Sequence, residues 1–145
     1  MLKSFYKTVW TRDTKAEAET VDPNYVDGGA CGNGVKWTLT YTDETKTTMK
    51  LIISGQGAMT EYSTAGAPWY AYAASIVEVE ITEGVTTIGR CAFYNLKKLT
   101  KVTVATTVTA IGDYAFNTCW KLKEIDIPEG ATVGKDAFKK TGVRV

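Results

Sequence analysis

The side chains best placed to do chemistry are Glu78, Glu80, Lys101, Thr103, Glu124 and Asp126, which alternate with apolar residues in the short runs IVEVEI, KVTV and KEIDI. In an extended strand, residues two apart share a face, so these six project together, away from the core that the intervening valines and isoleucines join. Strands about 4.8 Å apart would set Lys101 between acidic rows on either side. The ordinary outcome is a charge ladder that helps fix register, worth about 0.2–1 kcal/mol per cross-strand pair. The sharper outcome is a recognition surface for a basic partner. Calcium is a weaker reading, because the EF-hand spacing is missing and Lys101 interrupts the carboxylates. A glycosidase acid and base would need carboxyls about 5–9.5 Å apart across a cleft, and nothing in the sequence marks a cleft around them.

Other catalytic chemistry lacks its usual parts. The chain contains no histidine, which removes the commonest general base and metal ligand together. Cys31, Cys91 and Cys119 are odd in number, have no CxxC or zinc spacing, and read as free thiols, Cys91 and Cys119 in small apolar slots. The sequence GQG at 55–57 lacks the third glycine or the Lys-Ser/Thr pair of a phosphate loop and reads as a turn. No catalytic, cofactor or metal residue is assigned. The aromatic residues are a different matter, since flat rings can stack on sugars. Trp37, Trp69 and Tyr70 are expected in the core, whereas Tyr94, Tyr114 and Trp120 fall at non-core positions and form an alternative, glycan-binding surface.

What must position these residues is a repeat. VTTIGRCAFYNLKKLTKVTV at 85–104 superimposes on VTAIGDYAFNTCWKLKEIDI at 108–127 with a shift of 23. A shortened copy, ATVGKDAFKKTGVRV, follows from Ala131, and SIVEVEI at 75–81 supplies a degenerate first turn with Tyr70 in the slot of Phe93. Each repeat is expected to give one strand. Its IGxxAF segment would place glycine where the chain turns and would use a short helical turn to drop Phe93, Phe116 or Phe138 inward. One such unit cannot bury its own apolar face, so the units must stack into a solenoid.

Ahead of the array, VKWTLTY at 35–41 alternates strictly and MKLIISG at 49–55 follows after a polar connection, the pattern of a β-hairpin that caps the first repeat. Leu2, Phe5, Tyr6, Val9 and Trp10 fit a helical stripe, followed by the linker-like DTKAEAETVDPNYVDGG. The expected organisation is thus an extension at 1–28, helical or flexible, a hairpin capping unit with the degenerate first turn at 29–74, and repeats at 75–145. Seventeen Lys and Arg against sixteen Asp and Glu form no basic patch, which argues against nucleic acid. No apolar run reaches the roughly 18–20 residues of a membrane span, and the N-terminus has no secretory-signal core. Little polar capping after the last repeat leaves self-association through the C-terminal edge as a further expectation.

The strings CGNGVKWTL, LIISGQGAMTEYS, APWY and SIVEVEITEGVTTIG, with the AF repeats after them, resemble in order and spacing the BspA-like leucine-rich-repeat proteins, surface proteins of bacteria and some protists. The resemblance spans about residues 29–145; residues 1–28 fall outside it, and the repeats are fewer than in many relatives. It implies an α+β repeat fold, a short right-handed solenoid, in a secreted or surface-attached protein. It also implies a non-enzymatic adhesion role toward a host or cell-surface protein, with no cofactor.

Overall fold

The computed structural model describes residues 22–144, and the helical stripe expected within residues 1–10 lies outside them. Strict alternation in VKWTLTY does produce a hairpin: β2 (Val35–Tyr41) pairs antiparallel with β3 (Met49–Gly55), setting Trp37 opposite Ile53 and Leu39 opposite Leu51. In front of it runs β1 (Tyr25–Gly32), antiparallel to β2. This strand begins inside the segment read as a linker and crosses position 28. Its sequence, YVDGGACG, buries only Cys31 fully, so backbone pairing rather than apolar alternation holds it.

After β4 (Gly57–Ala58) and a single 3-10 turn at Tyr70–Tyr72, the repeats begin. The repeat at 85–104 contains two strands where one was expected, and the later copies keep only the strand of the second sheet. β5 (Ile76–Ile81) and β7 (Lys101–Val104) extend the first sheet in parallel, giving the order β1-β2-β3-β5-β7. β6 (Val85–Ile88), β8 (Ala110–Ile111) and β9 (Thr132–Val133) join β4 in a second, wholly parallel sheet, β4-β6-β8-β9. The inward rows of the first sheet are continuous across hairpin and repeats: Leu39, Leu51, Val79 and Val102 in one, Trp37, Ile53, Ile81 and Val104 in the next. Among the described residues the fold is strand and turn, and the 3-10 turn is its only helical segment, so the α part of the expected class is corrected.

The IGxxAF segments are successive β-turns rather than a helical turn. In the second repeat Ala115 N–H donates to Gly112 O, Asn117 N–H to Tyr114 O and Cys119 N–H to Phe116 O, each three residues back. The left-handed conformation falls on Cys91, Tyr114 and Asp136 in one column and on Asn95, Thr118 and Lys140 in another, all with φ between 54° and 67°. Glycine therefore has a different task from turning. A Cβ on Gly112 would lie 2.6 Å from the Arg90 nitrogen and 2.8 Å from the Gly89 carbonyl carbon, so the missing side chain lets one repeat approach the backbone of the last. That approach permits a second hydrogen-bonded ladder through the turns, with Phe93 N–H on Ala115 O and Phe116 N–H on Ala137 O, both 2.8 Å.

Between sheets and turns runs a column of rings. Trp69 stacks on Phe93 at 5.8 Å, Phe93 on Phe116 at 5.2 Å and Phe116 on Phe138 at 5.3 Å, and Trp37 closes the column edge-on to Trp69 at 5.7 Å. Trp69, not Tyr70, thus fills the slot of Phe93 in the degenerate first turn. Its Nε1–H also donates to Ala92 O at 2.8 Å, a partner a phenylalanine could not use. Tyr70 is half-buried, with its hydroxyl accepting from Asn95 Nδ2 at 2.8 Å. Each buried ring contributes about 1.5–3 kcal/mol of transfer free energy, and each stacked pair about 0.5–1.5 kcal/mol more.

Candidate functional site

The outward face of the first sheet carries the residues singled out above, and its register places them. Two cross-strand rows form there: Thr40, Lys50, Glu78 and Lys101, then Thr38, Ile52, Glu80 and Thr103. Lys101 does not sit between acidic rows; instead Glu78 sits between two lysines. Lys50 Nζ lies 2.8 Å from Glu80 and 3.5 Å from Glu78, and Lys101 Nζ is 3.9 Å from Glu78. The hydrogen bond to Glu80 is the main cause that raises the Lys50 pKa above its ordinary value. Lys50, Glu78 and Glu80 therefore act as a register ladder whatever else they do, worth less than about 1 kcal/mol per exposed pair. Lys50 itself was not singled out in the sequence, though its place next to the hairpin's Leu51 marks it as outward-facing.

Glu124 and Asp126 do not join this face as strand residues. The segment that carries them, LKEIDI, is not a strand: Leu122 is buried and Ile125 and Ile127 pack against the core, but the sheet ends at β7. Pro128 stands where the preceding repeat has the buried Ala105. It has no N–H to offer a ladder, and at a sheet edge water competes for the remaining backbone groups. The six candidates thus divide into four on the sheet and two beyond it.

The aromatic candidates divide as well. Tyr94 and Tyr114 are half-buried and line a groove of about 310 Å³ on the turn side, together with Arg90, Asn117, Asp136, Lys139 and Lys140. The Arg90 guanidinium lies 5.4 Å from the centre of the Tyr114 ring, and its Nη1 donates to Tyr62 O at 3.3 Å. Trp120 stands elsewhere, 57% exposed, with the Lys97 ammonium 4.4 Å from its ring centre. The basic side chains of the groove were not picked out from sequence. The signal was the repeat itself, since Tyr94, Asn117 and Lys139 share one column and Cys91, Tyr114 and Asp136 the next.

All three thiols are buried. Burial pushes Cys31 and Cys119 up to about 12 and raises Cys91 above its ordinary value, with Arg90 opposing. Cys119 Sγ–H donates to Phe93 O at 3.1 Å. The reactive thiolate form is thus disfavoured at all three. Among the described residues, no helix is long and apolar enough to cross a membrane.

Parallel strands stacked repeat on repeat in two sheets, a column of one ring per repeat and turns packed at glycine define a leucine-rich-repeat protein. The BspA type leucine rich repeat region matches residues 64–144 in 6 copies, and the chain belongs to this family. A leucine-rich repeat protein from Eubacterium ventriosum ATCC 27560 is 31% identical, with a TM-score of 0.63 over 81% of this chain and 36% of its own. The leucine-rich repeat protein of T. pallidum (TpLRR) is 22% identical, with a TM-score of 0.45 over 66% of this chain and 50% of its own. The chain thus spans about a third of the length of the first and half that of the second. No curated protein sequence matches it. Proteins built on these repeats are generally non-enzymatic and typically bind other proteins, and the BspA-like ones are typically secreted or surface proteins.

Proposed function

We propose that this chain is the adhesion module of a secreted or surface-attached protein, gripping a host or cell-surface protein through the outward face of its first sheet and the loops beside it. The observation that carries the reading is the pair of outward rows. Thr38, Thr40, Lys50, Ile52, Glu78, Glu80, Lys101 and Thr103 form one polar, mixed-charge surface across four hydrogen-bonded strands, each side chain half-exposed or exposed. A surface of both signs with an aliphatic residue inside it suits a protein partner, where charge complementarity fixes orientation and a small apolar centre adds affinity. Glu124 and Asp126 flank this face as loop contacts. The β1–β2–β3 unit acts as the cap of the array, covering the edge at which repeat stacking begins.

The test exchanges charge without breaking the internal pair. In the double variant Lys50→Glu, Glu80→Lys the 2.8 Å pair keeps its attraction and the 3.5 Å contact with Glu78 becomes repulsive, a small cost between half-exposed groups, so thermal stability stays within a few degrees of the parent while the charges a partner meets at these two positions are reversed. Solid-phase binding of parent and variant to a panel of extracellular-matrix proteins is the measurement. Saturable binding by the parent, lost in the variant, is expected. Equal binding by both would move the contact off the sheet face, and no binding by the parent across the panel would sink the adhesion reading.

A further inference from the structure

The groove on the turn side is independent of the sheet face, and its chemistry is more specific. Its lining brings three cations, Arg90, Lys139 and Lys140, around a single carboxylate, Asp136, beside the rings of Tyr94 and Tyr114. Among the described residues none of these four charged groups makes an ion pair. Arg90 spends one of its five N–H donors on Tyr62 O and directs the guanidinium toward Tyr114. A volume of about 310 Å³ lies at the small end of ligand sites.

The walls are firmly held. Tyr114 N–H donates to Lys135 O at 2.9 Å and Thr118 N–H to Lys139 O at 2.9 Å, and the Asn117 side chain donates to Asp136 O at 3.2 Å while accepting from Thr118 Oγ1 at 2.7 Å. Tyr114 and Lys140 both hold left-handed backbone conformations, φ 60° and 65°, that side chains of their size seldom adopt and that fix the direction of each side chain. The half-buried rings and the anchored Arg90 lose little freedom on binding, while Lys139 and Lys140 reach in from the exposed rim.

We propose that this groove binds an acidic sugar, a pyranose carrying a carboxylate or a sulfate. The C–H face of the ring would lie against Tyr94 or Tyr114, and the anionic group would meet Arg90, Lys139 and Lys140 through charge-assisted hydrogen bonds. An acidic peptide fits less well. Peptides are commonly held by adding a strand to an open edge, by an apolar helix face in an apolar groove or, for acidic motifs, by a cluster of arginines, whereas this groove has one arginine beside two rings. Here the backbone donors of Tyr114 and Thr118 are already used by the turn ladder, and every side chain lining the groove carries a polar or charged group.

The test is calorimetric titration of the full chain with a hexuronate tetrasaccharide, a sulfated tetrasaccharide, a neutral tetrasaccharide of equal length and a poly-glutamate peptide. Binding of either acidic sugar at least about tenfold tighter than the neutral one and the peptide is expected, weakening as salt screens the contacts, and whichever acidic arm binds names the anionic group. Tyr94→Ala and Lys139→Gln, both at accessible positions, should each weaken it about tenfold with an unchanged melting temperature. The sheet-face double variant should bind the sugar like the parent, so failure of one proposal leaves the other standing. Equal affinity for neutral and acidic sugars, tighter binding of the peptide, unchanged affinity in both groove variants, or no binding of any probe would each overturn the assignment.

Discussion

The residues under most conformational stress are not glycines. Thr118 holds φ 66° in the column it shares with Asn95 and Lys140, and for a β-branched side chain this left-handed conformation is costly, whereas asparagine tolerates it. Thr118→Asn, which copies the preceding repeat, is expected to stabilise the fold by about 0.5–1 kcal/mol. The introduced amide can replace the hydroxyl as a donor to Asn117 Oδ1, now 2.7 Å away. The midpoint of urea unfolding checks this, and a lower midpoint would show that the hydroxyl matters more than the backbone. Trp69→Phe asks a complementary question. It keeps a ring in the column but leaves the buried Ala92 carbonyl without the indole N–H, and a loss of about 1–3 kcal/mol is expected from that unpaired acceptor. An unchanged midpoint would mean that the carbonyl finds another donor.

At the scale of elements, the turns depend on closeness. Gly89, Gly112 and Gly134 each lie against the backbone of the turn before, and a Cβ on Gly112 would sit inside contact distance of both Arg90 and Gly89. Gly112→Ala should therefore destabilise by about 1–3 kcal/mol through overpacking. Amides of the neighbouring turns, such as Phe93 and Cys91, should exchange hydrogen faster; unaltered exchange would show that the repeats can slide apart at little cost. The same comparison shows what was readable. The hairpin was legible because Val35, Trp37, Leu39 and Leu51, Ile53 alternate without interruption. β1 was not, because two glycines and a single buried side chain give no period, and only its pairing with β2 reveals it. The second sheet escaped for a related reason: Ala110–Ile111 and Thr132–Val133 are two residues each, too short for any alternation. Phe93, Phe116 and Phe138 were readable as core because the slot recurs, whereas Trp69 was misplaced by one residue because it follows Gly66 by three residues where Phe93 follows Gly89 by four, so that the shift of 23 falls on Tyr70. Of the candidate sites, Glu78, Glu80, Lys101 and Thr103 followed from strand alternation. The groove cations did not, because their meeting depends on turns stacking across repeats.

The described residues share one apolar core, running from Cys31 and Trp37 in the first sheet through to Phe138, with Cys119 inside it. Repeats that contact only their neighbours can lose cooperativity, but the continuous inward rows and ring column join hairpin and repeats here, so a single unfolding transition is expected. Alkaline pH provides a probe of that unity. Cys31 and Cys119 have an ordinary pKa of 9.0 in the unfolded chain and about 12 in the fold, both raised by burial. Between these values the unfolded chain releases protons that the native state keeps, so the thiols' contribution is fully present below pH 9 and is lost as pH rises toward about 12. Tyr62, whose phenol is likewise raised by burial, adds to the same decline at its upper end. Melting temperature followed across this range should fall progressively from about pH 9, as one transition, and the double variant Cys31→Ala, Cys119→Ala should start lower but decline less steeply. A parent curve as shallow as the variant's would mean that the thiols ionise in the fold almost as readily as in water. Two separable transitions would mean that the front sheet and the repeats fold as distinct units, which the shared rows of Leu51 with Val79 and Ile53 with Ile81 make unfavourable.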